Sequence, residues 1–179
     1  AQAAQNAGKP AERWTHSLAM PMPTDKMGPF IRLSNGSILT VHNTETLIST
    51  DEGKTWVSRP LFKEGQNFKV SNERALLRTR KGTVVLVFLN LGELKWGWDN
   101  AKKEPIDGIQ ANVWVARSFD DGQTWPELKL VQKGYCGAVR DIIQTRDDHL
   151  VFVAQDVFTK LARHITQTYT SKDDGATWQ

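Results

Sequence analysis

The chain has 179 residues, 39% hydrophobic and 24% charged, a balance that suits one water-facing domain with a sizeable core. Its net charge of +3, from 23 basic and 20 acidic residues, is compatible with an anionic ligand but too slight and too diffuse for nucleic-acid binding. No apolar run reaches the roughly 20 residues that a membrane-spanning helix needs. No P-loop, dinucleotide fingerprint or metal-ligand spacing occurs, so neither a metal site nor a cofactor is expected. Cys136 is the sole cysteine, which excludes a disulfide within the chain and reads as a small buried hydrophobe.

In chain order, residues 1–6 are a polar stretch without the basic and apolar regions of a signal peptide, the kind of tail left after one is removed. The expectation is therefore a secreted, periplasmic or cell-surface protein. Residues 1–26 form an N-terminal tail in which 14–20 offers a ring-closing strand. Strands are then predicted at 29–33, 37–42, 46–50 and 56–62, with an Asn35-Gly36 turn between the first two. A second group is predicted at 75–79, 83–90, 111–117 and 128–131, with a turn at Lys81-Gly82 and a long insertion at 91–110. A third follows at 141–145, 150–155 and 164–170, with a turn at Asp147-Asp148.

The turn that follows the third strand of each group carries the same eight-residue pattern. Ser49-Thr50-Asp51-Glu52-Gly53-Lys54-Thr55-Trp56 returns as Ser118-Phe119-Asp120-Asp121-Gly122-Gln123-Thr124-Trp125. It returns again as Ser171-Lys172-Asp173-Asp174-Gly175-Ala176-Thr177-Trp178. The shared pattern is S-x-D-x-G-x-T-W. Its Asp carboxylate and its Ser and Thr hydroxyls suit bonds to backbone across a tight turn, glycine accepts positive φ, and Trp offers a large ring to pack back on the sheet. These residues are assigned to structure and not to catalysis. Units of about four short strands at this spacing are propeller blades. The predicted fold is all-β, a β-propeller with about three blades in this chain, at about 27–63, 72–133 and 138–179.

Three such Asp boxes at blade spacing resemble the sialidase (neuraminidase) superfamily of BNR-repeat propellers, over roughly residues 27–179. The resemblance implies a six-bladed ring, with ligand at the end where each innermost strand begins and the Asp boxes at the opposite end. It implies exo-hydrolysis of terminal sialic acid or a related acidic sugar. The alternatives are a non-catalytic propeller that binds glycan or protein, and a propeller enzyme, such as a lyase, acting on another anionic polysaccharide. With three blades, closing the ring requires self-association or a further portion of chain.

Counting back from the first turn of each unit, Arg74 and Arg140 hold the same position, immediately before the innermost strand. Arginine presents a rigid, permanently charged fork to a carboxylate, and sialidases resemble this in holding their substrate's carboxylate with arginines. The family's first arginine sits in an F-R-I-P-like stretch, whereas Arg74 sits two places later in Asn72-Glu73-Arg74-Ala75-Leu76. The resemblance implies an acid/base aspartate in the loop between second and third strands, which makes Asp99 and Asp107 the catalytic candidates. Trp96 and Trp98 in the same insertion suit stacking on sugar faces. Asp141 beside Arg140, Asp156 and Tyr135 complete the candidate substrate contacts. Neither Tyr135 nor Tyr169 sits in the context of the family's tyrosine nucleophile.

Overall fold

The computed structural model describes residues 14–158 and 163–179; the polar tail expected at residues 1–6 lies outside them. Three antiparallel sheets follow one another along the chain. The first is β1 (Ile31–Arg32), β2 (Ile38–His42), β3 (Glu45–Ser49) and β4 (Val57–Pro60), in that spatial order. The second takes β5 (Val70–Arg78), β6 (Val84–Asn90), β9 (Val113–Ser118) and β10 (Glu127–Gln132), with a small ribbon of β7 (Trp98–Asp99) and β8 (Glu104–Pro105) inserted after a 3₁₀ turn at Leu91–Glu93. The third is β11 (Val139–Gln144), β12 (Leu150–Phe158) and β13 (Arg163–Ser171). These are three blades of a β-propeller, each running from an innermost strand outward. No helix among the described residues is long and apolar enough to cross a membrane.

The apolar pattern explains how the blades stack. In β6 every residue is buried, Val84 through Asn90, because both faces of this strand are covered. Val84, Leu86 and Phe88 pack with Leu33, Leu39, Val41 and Trp125 between the first and second blades. Val85, Val87 and Leu89 pack with Val139, Leu150, Phe152 and Ala154 between the second and third. Alternate residues of one strand thus feed two separate cores. Full burial of a ring such as Phe88 contributes ~2–3 kcal/mol.

Strand limits differ from the sequence-based ones where backbone chemistry intervenes. The innermost strand β1 is two residues long because Pro29 has no N–H to give a ladder, although Leu33 N–H still bonds the Ser37 carbonyl at 2.8 Å across the turn. Residues 14–20, expected as an outer strand, pair with no described strand, and Trp14, Leu18 and Met20 lie exposed. The neighbouring stretch serves instead as a cap on the first blade. Thr24 accepts the indole N–H of Trp56 at 3.0 Å, as Thr46 accepts that of Trp125 at 2.8 Å.

β5 begins at Val70, ahead of the expected start, and is irregular: Val70 pairs with Asn90 and the next partners are Arg74 and Phe88. β11 carries a smaller irregularity between Val139, paired with Ala154, and Ile142, paired with Phe152. Both arginines therefore lie inside strands and not before them. They are also not equivalents in register. Phe88 and Ala154 occupy the same place in their strands, so the counterpart of Arg74 is Val139, and Arg140 is one residue further on. A slip of one residue turns a side chain to the opposite face.

Candidate functional site

Strand alternation divides the molecule into two ends. At one end lie the S-x-D-x-G-x-T-W turns together with the turns between first and second strands. In each box the Ser hydroxyl donates to the Asp at 2.8 Å and accepts the Gly N–H at 2.8–2.9 Å. The Thr N–H and hydroxyl both donate to the same Asp, at 2.8–2.9 and 2.5–2.7 Å. Two consecutive positive-φ residues make the reversal, Glu52-Gly53, Asp121-Gly122 and Asp174-Gly175, and the second is glycine each time. Bonds from the Thr55 backbone, the Thr55 hydroxyl and Ser49 hold the Asp51 carboxyl down at about 2. At Asp173 partial burial pushes upward, but the bonds from Thr177 and Ser171 outweigh it and the value is again about 2. All these carboxylates are spent on their own turns.

At the other end the chain enters β5 and β11 and the insertion leaves β6. The loops here are stitched together by backbone. Leu91 N–H bonds the Lys69 carbonyl at 2.8 Å, Ala111 N–H bonds the Gly134 carbonyl at 2.8 Å, and Cys136 N–H bonds the Ala111 carbonyl at 3.0 Å. This end holds Arg74, Arg140, Asp141, Asp156, Tyr135 and the insertion.

Arg74 is 4% exposed. Its guanidinium donates to the carbonyls of Ser71 (3.1 Å), Met27 (3.3 Å) and Gly28 (2.9 Å) and to the Asn72 amide oxygen (3.3 Å), while its Nε is buried without a partner. Burial lowers its pKa, and no described carboxylate pairs with it. It ties the approach to the first blade to that of the second, leaving a fixed positive charge beneath the surface. Arg140 is the reverse: its side chain is 72% exposed and its Nη1 sits 3.1 Å from Glu73 of the neighbouring blade. The ion pair is thus with Glu73 and not with Asp141, which accepts the Ile142 N–H at 2.8 Å. An exposed pair of this kind contributes ~0–1 kcal/mol, so an incoming carboxylate can compete for the guanidinium.

The insertion splits its residues between support and surface. Glu93 accepts from Trp114 Nε1 at 2.8 Å and from the Asn112 amide at 3.1 Å, anchoring the base. Asp99, at the tip of the β7–β8 ribbon, accepts the N–H groups of Ala101 (2.9 Å) and Lys102 (3.1 Å). Asp107 is exposed and makes no hydrogen bond among the described residues. Trp96 lies 6.5 Å from Trp98 and 4.8 Å from Tyr135, ring centre to ring centre. Tyr135, well separated from Trp96 and Trp98 in sequence, thus joins them at one corner of the molecule. Burial, and after it the charge of Cys136, raises the Tyr135 pKa.

Asp156 accepts its neighbour's N–H (Val157, 2.8 Å) and faces Gln167 at 3.4 Å. Tyr169 stacks on Phe152 at 4.9 Å and bonds Gln132 and Gln167. Burial pushes the Cys136 thiol up to about 11, and it donates to the Ala138 carbonyl at 3.2 Å, so it is no nucleophile near neutral pH.

Solved structures share this fold. A Hadza microbial sialidase is 22% identical over 83% of this chain and 35% of its own, with a TM-score of 0.55. An α-L-arabinanase from Penicillium chrysogenum is 15% identical over 84% of this chain and 46% of its own, TM-score 0.57. An α-L-arabinofuranosidase from Fusarium graminearum is 20% identical over 84% and 45%, TM-score 0.57. The fold shared with these proteins is a β-propeller. At these identities the likeness is one of fold, and the chain spans less than half the length of each of these three proteins. No family model and no curated protein matches the chain.

Glu73 is the residue at this end that sequence reasoning missed. Its only sequence signal is its place beside Arg74. Its partner is far along the chain, and the irregularity in β5 that aims it across the blades leaves no mark in composition.

Proposed function

We propose that this chain belongs to a secreted or surface-exposed glycoside hydrolase that takes a terminal acidic sugar, sialic acid or a relative, at the β5–β11 end of the propeller. The observation that carries the reading is Arg140: a fork 72% exposed at the mouth, tethered among the described residues by Glu73 at 3.1 Å. Arg140 is the contact for the sugar carboxylate. Arg74 adds positive potential from below, its own fork being engaged with backbone oxygens. Asp141, Asp156 and Tyr135 offer polar contacts around it. Of the two catalytic candidates, Asp107 is the better one to protonate a leaving oxygen, because it is unbonded among the described residues, whereas Asp99 holds a turn. Ring completion by a second copy or by further blades belongs to the same reading. Val151, Val153 and Thr168 stand on the third blade where Leu39, Val41 and Thr46 stand on the first, and those receive the next blade.

The test is hydrolysis of a fluorogenic N-acetylneuraminic acid glycoside beside an α-L-arabinofuranoside. Turnover of the first, with Arg140→Ala lowering kcat/KM by about 100-fold or more, is the expected outcome. Turnover of the arabinofuranoside alone, untouched by Arg140→Ala, overturns the acidic-sugar assignment. Binding of the acidic sugar without turnover selects the non-catalytic alternative.

A further inference from the structure

Four of the chain's tryptophans spend their indole N–H inside the molecule. Trp56 and Trp178 bond the carbonyls of Gly53 and Gly175 at 3.0 Å, Trp114 bonds Glu93 at 2.8 Å, and Trp125 bonds Thr46 at 2.8 Å. Trp96 and Trp98 do not: their N–H groups have no partner among the described residues, and the residues are 52% and 46% exposed. Rings left half in water contribute less to the fold than buried ones, so the stability of the fold does not account for their exposure.

The rings are nonetheless held in place. The ribbon that carries them is closed by reciprocal bonds between Lys95 and Gln110, 2.8 Å each, and by Ile106 N–H on the Gly97 carbonyl at 3.1 Å. Ile106 packs so closely over Gly97 that a Cβ there would stand 2.6 Å from its Cδ1. Tyr135 braces Trp96 from the loop leading into β11, at 4.8 Å and 39°. That loop is pinned to the base of the insertion through Ala111. Trp96 and Trp98 are tilted by only 29° with centres 6.5 Å apart, so their faces are offset and not closed over one another.

We infer that Trp96, Trp98 and Tyr135 form a preorganised stacking platform for the apolar face of a neutral sugar ring, next to the mouth and independent of its charges. The inference rests on the carbohydrate reading above and deepens it. A pyranose or furanose offers what such a surface lacks, a flat C–H face to lie on the rings and hydroxyls at its rim to accept the free indole N–H groups. The acidic sugar then sits at Arg140, and the platform holds the next sugar along the chain. The protein thus binds oligosaccharides better than single sugars.

Titration of tryptophan fluorescence with lactose, arabinobiose and sialyllactose tests this on the intact chain. The wild type is expected to bind the neutral disaccharides weakly. Trp98→Ala is expected to lower affinity for the neutral sugars and sialyllactose by about tenfold, Trp98→Phe to restore most of it, and Arg140→Ala to weaken sialyllactose alone. Neutral sugars that bind Trp98→Ala as well as the wild type, or not at all, overturn the platform. So does binding of tetramethylammonium in competition, which would mark a site for cations. Loss of sialyllactose binding in Arg140→Ala with no effect of Trp98→Ala would sink the platform and leave the mouth reading standing. Thermal melts of Trp98→Ala close to wild type show that the fold is intact.

Discussion

The three box aspartates show how a short motif sets local electrostatics. Each carboxylate accepts from one Ser and twice from one Thr, and Asp51 and Asp173 are held at about 2 against an ordinary 3.8. Asp120 is lowered as well, burial pushing upward but bonds from Thr124 and Ser118 prevailing. Because the folded value lies below the unfolded one, the unfolded chain takes up protons first as pH falls. The stabilisation is whole above the ordinary value of 3.8 and is lost between there and about 2. Chemical-denaturation midpoints are therefore expected to be level above about pH 5 and to drop between about pH 4 and 2. Asp173→Asn is expected to be less stable at neutral pH and to show a shallower drop in that acid window. An unchanged acid limb in Asp173→Asn would remove the turn bonds from the account.

At the scale of strands, stability lies in the two inter-blade layers. Phe88 is fully buried in the first layer, against Phe62 and Phe68 at centroid distances of 5.7 and 6.4 Å. Phe88→Ala is expected to cost ~3–5 kcal/mol, read as a lower denaturation midpoint. A loss under ~1 kcal/mol would mean that the blades do not pack through β6. Much of this level was legible in the sequence. Turns declare themselves because their bonds close within a few residues: Ser49, Asp51, Gly53 and Thr55 satisfy one another, so the pattern repeats wherever the geometry does. The continuous apolar run of β6 likewise marks a strand covered on both faces. What could not be read was register. The irregularities in β5 and β11 add residues that no local signal announces, and each shifts which side chain faces inward. Counting from the turns made Arg74 and Arg140 equivalents; pairing makes one a buried tie between blades and the other an exposed fork.

At the scale of the molecule, the two ends do different work. The box end is closed on itself: Ser34 and Arg78 both bond Asp121, Thr83 bonds Asp174, and Arg80 reaches Asp148 of the third blade. Arg78, Arg80, Asp121, Asp148 and Asp174 are thereby engaged in holding blades together. The opposite end leaves an arginine fork at the start of β11, and an unbonded aspartate and an aromatic corner on loops that backbone bonds keep in place, all facing water. Binding energy there is not needed to maintain the fold, and so the proposed site lies at that end. Hydrogen–deuterium exchange of the intact chain with and without sialyllactose tests this division directly. The expected result is slowed exchange at residues 94–110 and 133–141, with the box turns at 51–55, 120–124 and 173–177 unchanged. Slowing confined to the box turns, with the insertion and the β11 loop unaffected, would contradict it.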